Sequence, residues 1–148
     1  MASVGAFGVV LLALTTVIHY EVLRGLTVSL PRIEVPPRAR LVVVIFTTFF
    51  AHAAEIFLYA VTFYLLVRYL GAGTLGEAGT ASLTVCLYFS AETYTSLGYG
   101  DILPSGSLRL LAGMEALNGL LLIGWSASYT YIAMERFWKD DGKRNGAE

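Results

Sequence analysis

The chain is poor in charged residues and has almost no cysteine. Of its 148 residues, 14% are charged and 56% are hydrophobic, and the formal net charge is -1. Such a composition is typical of membrane proteins rather than soluble ones, and the lack of a basic excess argues against a nucleic-acid partner. The one cysteine, Cys86, cannot form an internal disulfide, and its position in an apolar run favours a buried packing role over a reactive thiol.

Three apolar segments are long enough to cross a bilayer, which takes about 20 helical residues. They cover residues 1–24, 41–70 and 108–134. A signal peptide is the alternative for the first, but no basic residues precede it and its apolar run is too long, so we expect a retained helix. Residues 80–94 are too few to span the membrane and favour a re-entrant helix. The sequence thus predicts an all-α membrane protein with a linker at 25–40 and a polar tail at 139–148.

Positive charges cluster after the first and third apolar segments. They are Arg24, Arg32, Arg38 and Arg40 in the first cluster, and Arg136, Lys139, Lys143 and Arg144 in the second. Residues 71–107 contain no lysine or arginine. Because these residues concentrate on the cytoplasmic side, we expect a multi-pass protein of the cell (inner) membrane with its N-terminus outside and its C-terminus cytoplasmic. Arginines of the linker would then rest against anionic membrane lipids.

A glycine-rich stretch follows the short re-entrant segment and reads Thr-Ser-Leu-Gly-Tyr-Gly-Asp over residues 95–101. Selecting potassium requires a backbone that turns successive carbonyl oxygens toward one axis, where they replace the water shell of the ion. Gly98 and Gly100 permit the alternating left- and right-handed backbone angles that this geometry needs. The stretch therefore predicts a potassium selectivity filter.

From Tyr88 through Asp101 to Pro104, the sequence resembles the pore helix and filter of bacterial KcsA-type potassium channels. That family usually reads Thr-Val-Gly-Tyr-Gly-Asp at the filter, where this chain has Ser96 and Leu97 in the first two places. The resemblance extends to about Trp138. It implies a pore domain over 41–138, made of an outer helix (41–70), a pore helix (80–94), a filter (95–101) and an inner helix (108–134), and leaves residues 1–24 as an additional helix.

The resemblance also implies a homotetramer that conducts K+ passively and is not an enzyme. K+ ions would occupy the filter, and no organic cofactor is expected. The residues that would hold the ions are Thr95, Ser96, Leu97, Gly98, Tyr99 and Gly100. Two alternatives are a weakly selective cation channel, if Ser96 and Leu97 loosen the inner sites, and a non-conducting partner subunit that keeps the loop as a relic.

Two devices are expected to support the filter. In KcsA-type channels, carboxyl groups at the positions of Glu92 and Asp101 meet behind the filter and share a proton, because two close carboxylates cannot both ionise cheaply. The alternative is that Asp101 caps a turn at a wet pore mouth. The second device is an aromatic cuff, in which Tyr88 and Phe89 pack around Tyr99. Tyr88 alone could replace the hydrogen bond that tryptophan makes in the family.

The third apolar helix carries gating candidates, namely Glu115, Asn118, Gly119 and Gly124. Gly119 aligns with the hinge of the family's inner helix, and the alternative is a small residue at a helix contact. An ionisable residue in a spanning helix usually faces protein or water. Glu115 could therefore face either the ion cavity or a neighbouring helix.

The first two helices contain the two histidines of the chain, and neither helix has the regularly spaced arginines of a voltage sensor. His52 and Glu55 share one face of the second helix, and His19 lies near the inner end of the first. Together they could bind a metal such as zinc or sense protons. The commoner alternative is a histidine hydrogen-bonded to a neighbouring helix. Gating would otherwise depend on the pore, the linker or lipid, since only a short tail follows the inner helix.

Overall fold

The structure, a computed structural model, describes residues 2–32, 36–76 and 81–145, with side chains for 4–32, 36, 39–76 and 81–138. Within these ranges it contains four α-helices and one 3₁₀ turn. They are α1 (Ala2–Ser29), the turn Leu30–Arg32, α2 (Pro37–Leu70), α3 (Leu83–Tyr94) and α4 (Leu108–Asn145). Helices α1, α2 and α4 are long and apolar enough to cross a membrane, whereas α3 has 12 residues. The predicted fold class is confirmed in the described residues.

The helices extend further than the sequence pattern indicated. Helix α1 continues to Ser29, into the predicted linker, because Leu26 and Leu30 keep packing against Val44 of α2 and Ala133 of α4. Helix α2 begins at Pro37, and proline suits the first helical position because its φ is preset and a missing N–H costs nothing there. Helix α4 runs past the predicted end at residue 134, where no proline interrupts it.

The short helix α3 packs against both α2 and α4. The side chain of Ser82 caps its first turn by accepting the amide of Val85 at 3.2 Å. Its Phe89 ring meets Phe63 of α2 edge to face, with 5.2 Å between the centroids. Cys86 is fully buried in the same cluster, so the predicted packing role is confirmed.

Helix α1 is part of this core rather than an appendage to it. Its Val4 and Leu11 belong to the cluster that includes Tyr59 and Phe63 of α2. Each later turn of α1 also contributes a buried side chain, including Thr15 and His19. Helix α1 therefore shares a core with α2 and α3.

The loops before α3 and after the filter are joined to each other. The Ser105 amide donates to the Thr74 carbonyl at 2.9 Å, and the Thr74 amide donates to the Ser105 hydroxyl at 2.8 Å. A Cβ at Gly73 would lie 2.3 Å from the Ser105 carbonyl oxygen, so the loops can approach this closely only with glycine there. These hydrogen bonds hold the loop that precedes α3 against the loop that follows the filter.

Candidate selectivity filter and its supporting residues

The filter begins where α3 ends. The Thr95 hydroxyl donates back to the Ala91 carbonyl at 2.7 Å. The next two amides turn the same way, because Ser96 donates to the Thr93 carbonyl at 3.0 Å and Leu97 to the Glu92 carbonyl at 2.9 Å. These bonds attach the first residues of the filter to the carbonyl end of the helix.

The filter backbone alternates in handedness. Ser96 has φ of 57°, Gly98 of 55° and Gly100 of 80°, while Leu97 and Tyr99 between them are not in the positive region. Alternating handedness turns the carbonyls of a stretch toward one side, which is the geometry that an ion-coordinating filter needs. It also gives a reason for Ser96, because a β-branched threonine is costlier than serine at positive φ.

The filter lies on the surface of the single chain. Leu97 is 59% exposed and Tyr99 69% exposed. A Cβ on Gly98 or Gly100 would meet nothing within 4 Å. Within one chain, glycine is therefore required by backbone conformation rather than by space, and one strand cannot enclose an ion by itself.

The support behind the filter differs from the predicted carboxyl pair. Among the described residues, the Glu92 and Asp101 carboxyls make no hydrogen bond to each other, and Oε1 of the buried Glu92 has no hydrogen-bond partner. The Tyr88 hydroxyl donates to Asp101 Oδ2 instead, at 3.2 Å. Interaction with the Glu92 and Asp101 carboxylates raises the pKa of Tyr88, so the phenol stays protonated and donates. Within the chain, Asp101 therefore bonds to Tyr88 rather than to the expected Glu92 carboxyl.

The predicted aromatic cuff is only half formed within one chain. Phe89 is buried against Phe63, so it braces α3 on α2 and does not pack around Tyr99. Tyr88 is exposed within one chain, and its hydroxyl is directed to Asp101 beside the filter. The fully apolar phenylalanine gains most by entering the core, whereas tyrosine keeps its hydroxyl at the polar end.

Replacing Tyr88 by phenylalanine is expected to weaken the filter without disturbing the fold. The variant loses the hydrogen bond to Asp101, worth about 1 kcal/mol in total if the filters of a pore respond independently, so the open probability of single channels in planar bilayers should fall severalfold. Tyr69→Phe is the matched control, because Tyr69 is 73% exposed at the end of α2. Equal open probabilities for the two variants would contradict a bracing role for Tyr88.

Gly119 packs against the end of the pore helix. A Cβ there would lie 2.1 Å from the Tyr94 carbonyl oxygen. Of the two sequence-based interpretations, the structure favours close helix contact over a free hinge. Gly124 has open space around it and lies on the exposed face of α4, near the exposed Leu121.

Glu115 faces α3 rather than open space. It is fully buried, and its Oε1 lies within hydrogen-bond distance of the Ser90 hydroxyl. That hydroxyl also lies 2.8 Å from the Ile56 carbonyl. One hydroxyl proton cannot serve two acceptors, so both contacts are hydrogen bonds only if Glu115 carries a proton and donates it to Ser90.

Asn118 joins three helices. Its Nδ2 donates to the Thr15 hydroxyl of α1 at 2.7 Å and to the Tyr59 hydroxyl of α2 at 3.2 Å. Neither Asn118 nor Glu115 reaches the surface of the chain. As gating candidates, both residues would act through contacts between helices rather than by contact with ions.

The structure brings His19, His52 and Glu55 together. His19 Nδ1 lies 2.9 Å from Glu55 Oε1, and His52 Nδ1 lies 3.2 Å from Oε2. The Tyr94 hydroxyl contacts His52 Nδ1 at 2.8 Å and donates to Glu55. The Ser126 hydroxyl lies 3.0 Å from His19 Nε2 and 3.1 Å from His52 Nε2. We refer to these five side chains as the histidine cluster.

Sequence reasoning missed Tyr94 and Ser126, because neither residue type suggests such a site at a distance along the chain. Glu21, which is next but one to His19, points away from the histidine cluster and pairs with Arg24 at 3.0 Å on the exposed side of α1.

Comparison with known proteins finds similarity to ion channels. The model of the ion channel family matches residues 40–136. A similar protein, the inward rectifier potassium channel Kirbac3.1 of Paramagnetospirillum magnetotacticum, is 36% identical over 72 residues, which is 47% of this chain and 24% of that protein. The chain thus aligns with about a quarter of the length of this relative. No solved structure matches the chain.

Proposed function

The chain belongs to the ion channel family, and on this basis we propose that it forms a potassium-selective pore through which K+ passes passively. The observation that carries the proposal is the alternation of positive φ at Ser96, Gly98 and Gly100 directly after a short helix. Successive carbonyls of such a strand can replace the hydration shell of a K+ ion. The potassium channel relative supports the same choice of ion.

The pore is a homotetramer with four filter strands around one axis. Support comes from the exposed filter, which one chain leaves uncovered, and from the exposed side of α4, where Leu117 is 60% and Leu121 63% exposed. Cyclic symmetry places the same surfaces of each copy around the axis. The remaining exposed apolar side chains, such as Phe49 and Phe50, then face membrane lipids.

Residues 95–101 lie at the outer face of the cell membrane, and both the loop between α1 and α2 and the end of α4 are cytoplasmic. The distribution of lysine and arginine supports this orientation. The carbonyl end of α3 then points toward the middle of the membrane. Its partial negative charge stabilises a cation that has reached the inner end of the filter. No reaction is catalysed, since the protein lowers only the cost of removing water from the ion.

Flux into liposomes tests this proposal. Purified protein is reconstituted into two sets of vesicles, one loaded with potassium and one with sodium, and uptake of tracer rubidium is followed from an external solution of an impermeant cation. We expect an outward potassium gradient to drive rubidium uptake and an equal outward sodium gradient not to do so. Equal uptake with sodium would replace the proposal by a weakly selective cation channel, and no uptake in any condition would favour the non-conducting partner.

A further inference from the structure

We propose that His19, His52 and Glu55, with Tyr94, form a buried site for a divalent transition metal of the zinc class. The site goes beyond ion conduction, because none of its residues belongs to the filter (95–101) and because it joins α1 to α3. Imidazole nitrogens and carboxylate oxygens are the ligands that zinc takes in proteins other than thiolates.

The donor atoms are already gathered. One ligand atom from each of His19, His52 and Glu55 lies within 4.8 Å of the others. Both Nδ1 atoms face the same carboxylate, at 2.9 and 3.2 Å. Donors of a tetrahedral zinc lie about 2.0–2.1 Å from the metal and therefore roughly 3.4 Å from one another. Small side-chain rotations would open the required space without moving a helix.

The cluster contains a buried carboxylate and no lysine or arginine. The Ser126 hydroxyl can donate to Nε2 of one histidine and accept from Nε2 of the other, so its contacts allow either tautomer of each ring. When both imidazoles are neutral, the Glu55 carboxylate has no counter-charge within the cluster. An unpaired charge at membrane depth is costly. One cation would balance the site, and a divalent metal bound by Glu55 and ionised Tyr94 would make it neutral.

Tyr94 gives the site its connection to the pore. It is the last residue of α3, and its side chain is fully buried against His52 and Glu55. The backbone carbonyl of the same residue is the atom that Gly119 packs against. A metal held by His19 would therefore attach the additional helix α1 to the residue from which the filter starts. This explains why α1 carries a fully buried histidine.

Metal content can be measured on detergent-solubilised protein. The chain has two histidines, both in the cluster, so a sample freed of any affinity tag has no other imidazole. After chelation, the protein is incubated with Zn2+ or Co2+, desalted and analysed by mass spectrometry for metal. We expect one metal per chain and visible absorption bands of tetrahedral Co2+. His19→Asn and His52→Asn should lose the metal.

Tyr94→Phe removes one of the proposed donors, so it should bind Co2+ more weakly by at least the roughly 10–100-fold that loss of a residue supporting a metal ligand costs, and with a changed spectrum. Its matched control is Tyr20→Phe, which alters a tyrosine beside Trp125 and outside the cluster. Metal retained by both histidine variants, or no metal retained by the wild type, would overturn the proposal and leave a hydrogen-bonded network occupied by a proton.

If the histidine variants fail to assemble, thermal unfolding of the wild-type protein decides. Zn2+ should raise the melting temperature in proportion to the logarithm of its concentration, while Mg2+ should not, because it prefers oxygen ligands. Equal effects of the two ions would contradict the site. The measurement needs no ion flux, so its failure is distinguishable from failure of the channel proposal.

Discussion

Gly98→Ala is expected to abolish potassium flux. Gly98 has φ of 55°, and a residue with a Cβ pays about 1–2 kcal/mol to adopt this left-handed conformation. Four strands meet in the proposed ring, so the conducting filter becomes about 4–8 kcal/mol less stable relative to collapsed forms. Since 1.4 kcal/mol is a factor of ten, rubidium uptake into liposomes should fall by roughly three orders of magnitude or more.

Gly25→Ala is the matched control for this variant. Gly25 lies in α1, and a Cβ there would meet nothing within 4 Å. Alanine favours the helix by roughly 1 kcal/mol over glycine, so flux should be preserved. Both proteins should elute as the same oligomer in detergent. Unchanged flux in Gly98→Ala would mean that ions do not pass along this loop.

The parts of the fold that follow from local chemistry could be predicted from the sequence. Apolar length alone identified three spanning helices, and the pair Gly98 and Gly100 indicated where the backbone would alternate. The ends of helices were less predictable. Helix α1 extends beyond its apolar run because Leu26 and Leu30 pack against α2 and α4. Such contacts depend on tertiary structure, which the local sequence does not show.

The supports of the filter show a second limit. Resemblance suggested a pair between Glu92 and Asp101, but the Tyr88 hydroxyl takes the place of a direct contact. It also placed Phe89 beside Tyr99, whereas the ring enters the core. A family motif predicts where the backbone of these residues lies. Which side chain then contacts a carboxylate depends on the size and polarity of the side chain at each position.

The histidine cluster illustrates a third case. His52 and Glu55 are three residues apart, so helical periodicity predicts their proximity. The approach of His19 requires knowing how α1 packs against α2. The participation of Tyr94 depends on how α3 packs against α2, which a local sequence pattern cannot predict.

Gly119→Ala is expected to have the second largest effect, because the new Cβ would lie 2.1 Å from the Tyr94 carbonyl oxygen. That atom belongs to the backbone and cannot rotate away, so α3 and α4 must separate. Overpacking of this kind costs about 1–3 kcal/mol at each site, and the shift moves the residue from which the filter starts. We expect the melting temperature of the detergent-solubilised protein to fall by several degrees and rubidium flux to drop at least about tenfold.

Gly113→Ala on the same helix separates this packing effect from a general effect of alanine. A Cβ at Gly113 would meet nothing within 4 Å, so stability should be unchanged or should rise by up to about 1 kcal/mol. A hinge makes a different prediction for Gly119, because a stiffened hinge alters opening while leaving the packed closed form intact. If Gly119→Ala melts like Gly113→Ala and only its open probability changes, Gly119 acts as a hinge, and its contact with the pore helix does not determine stability.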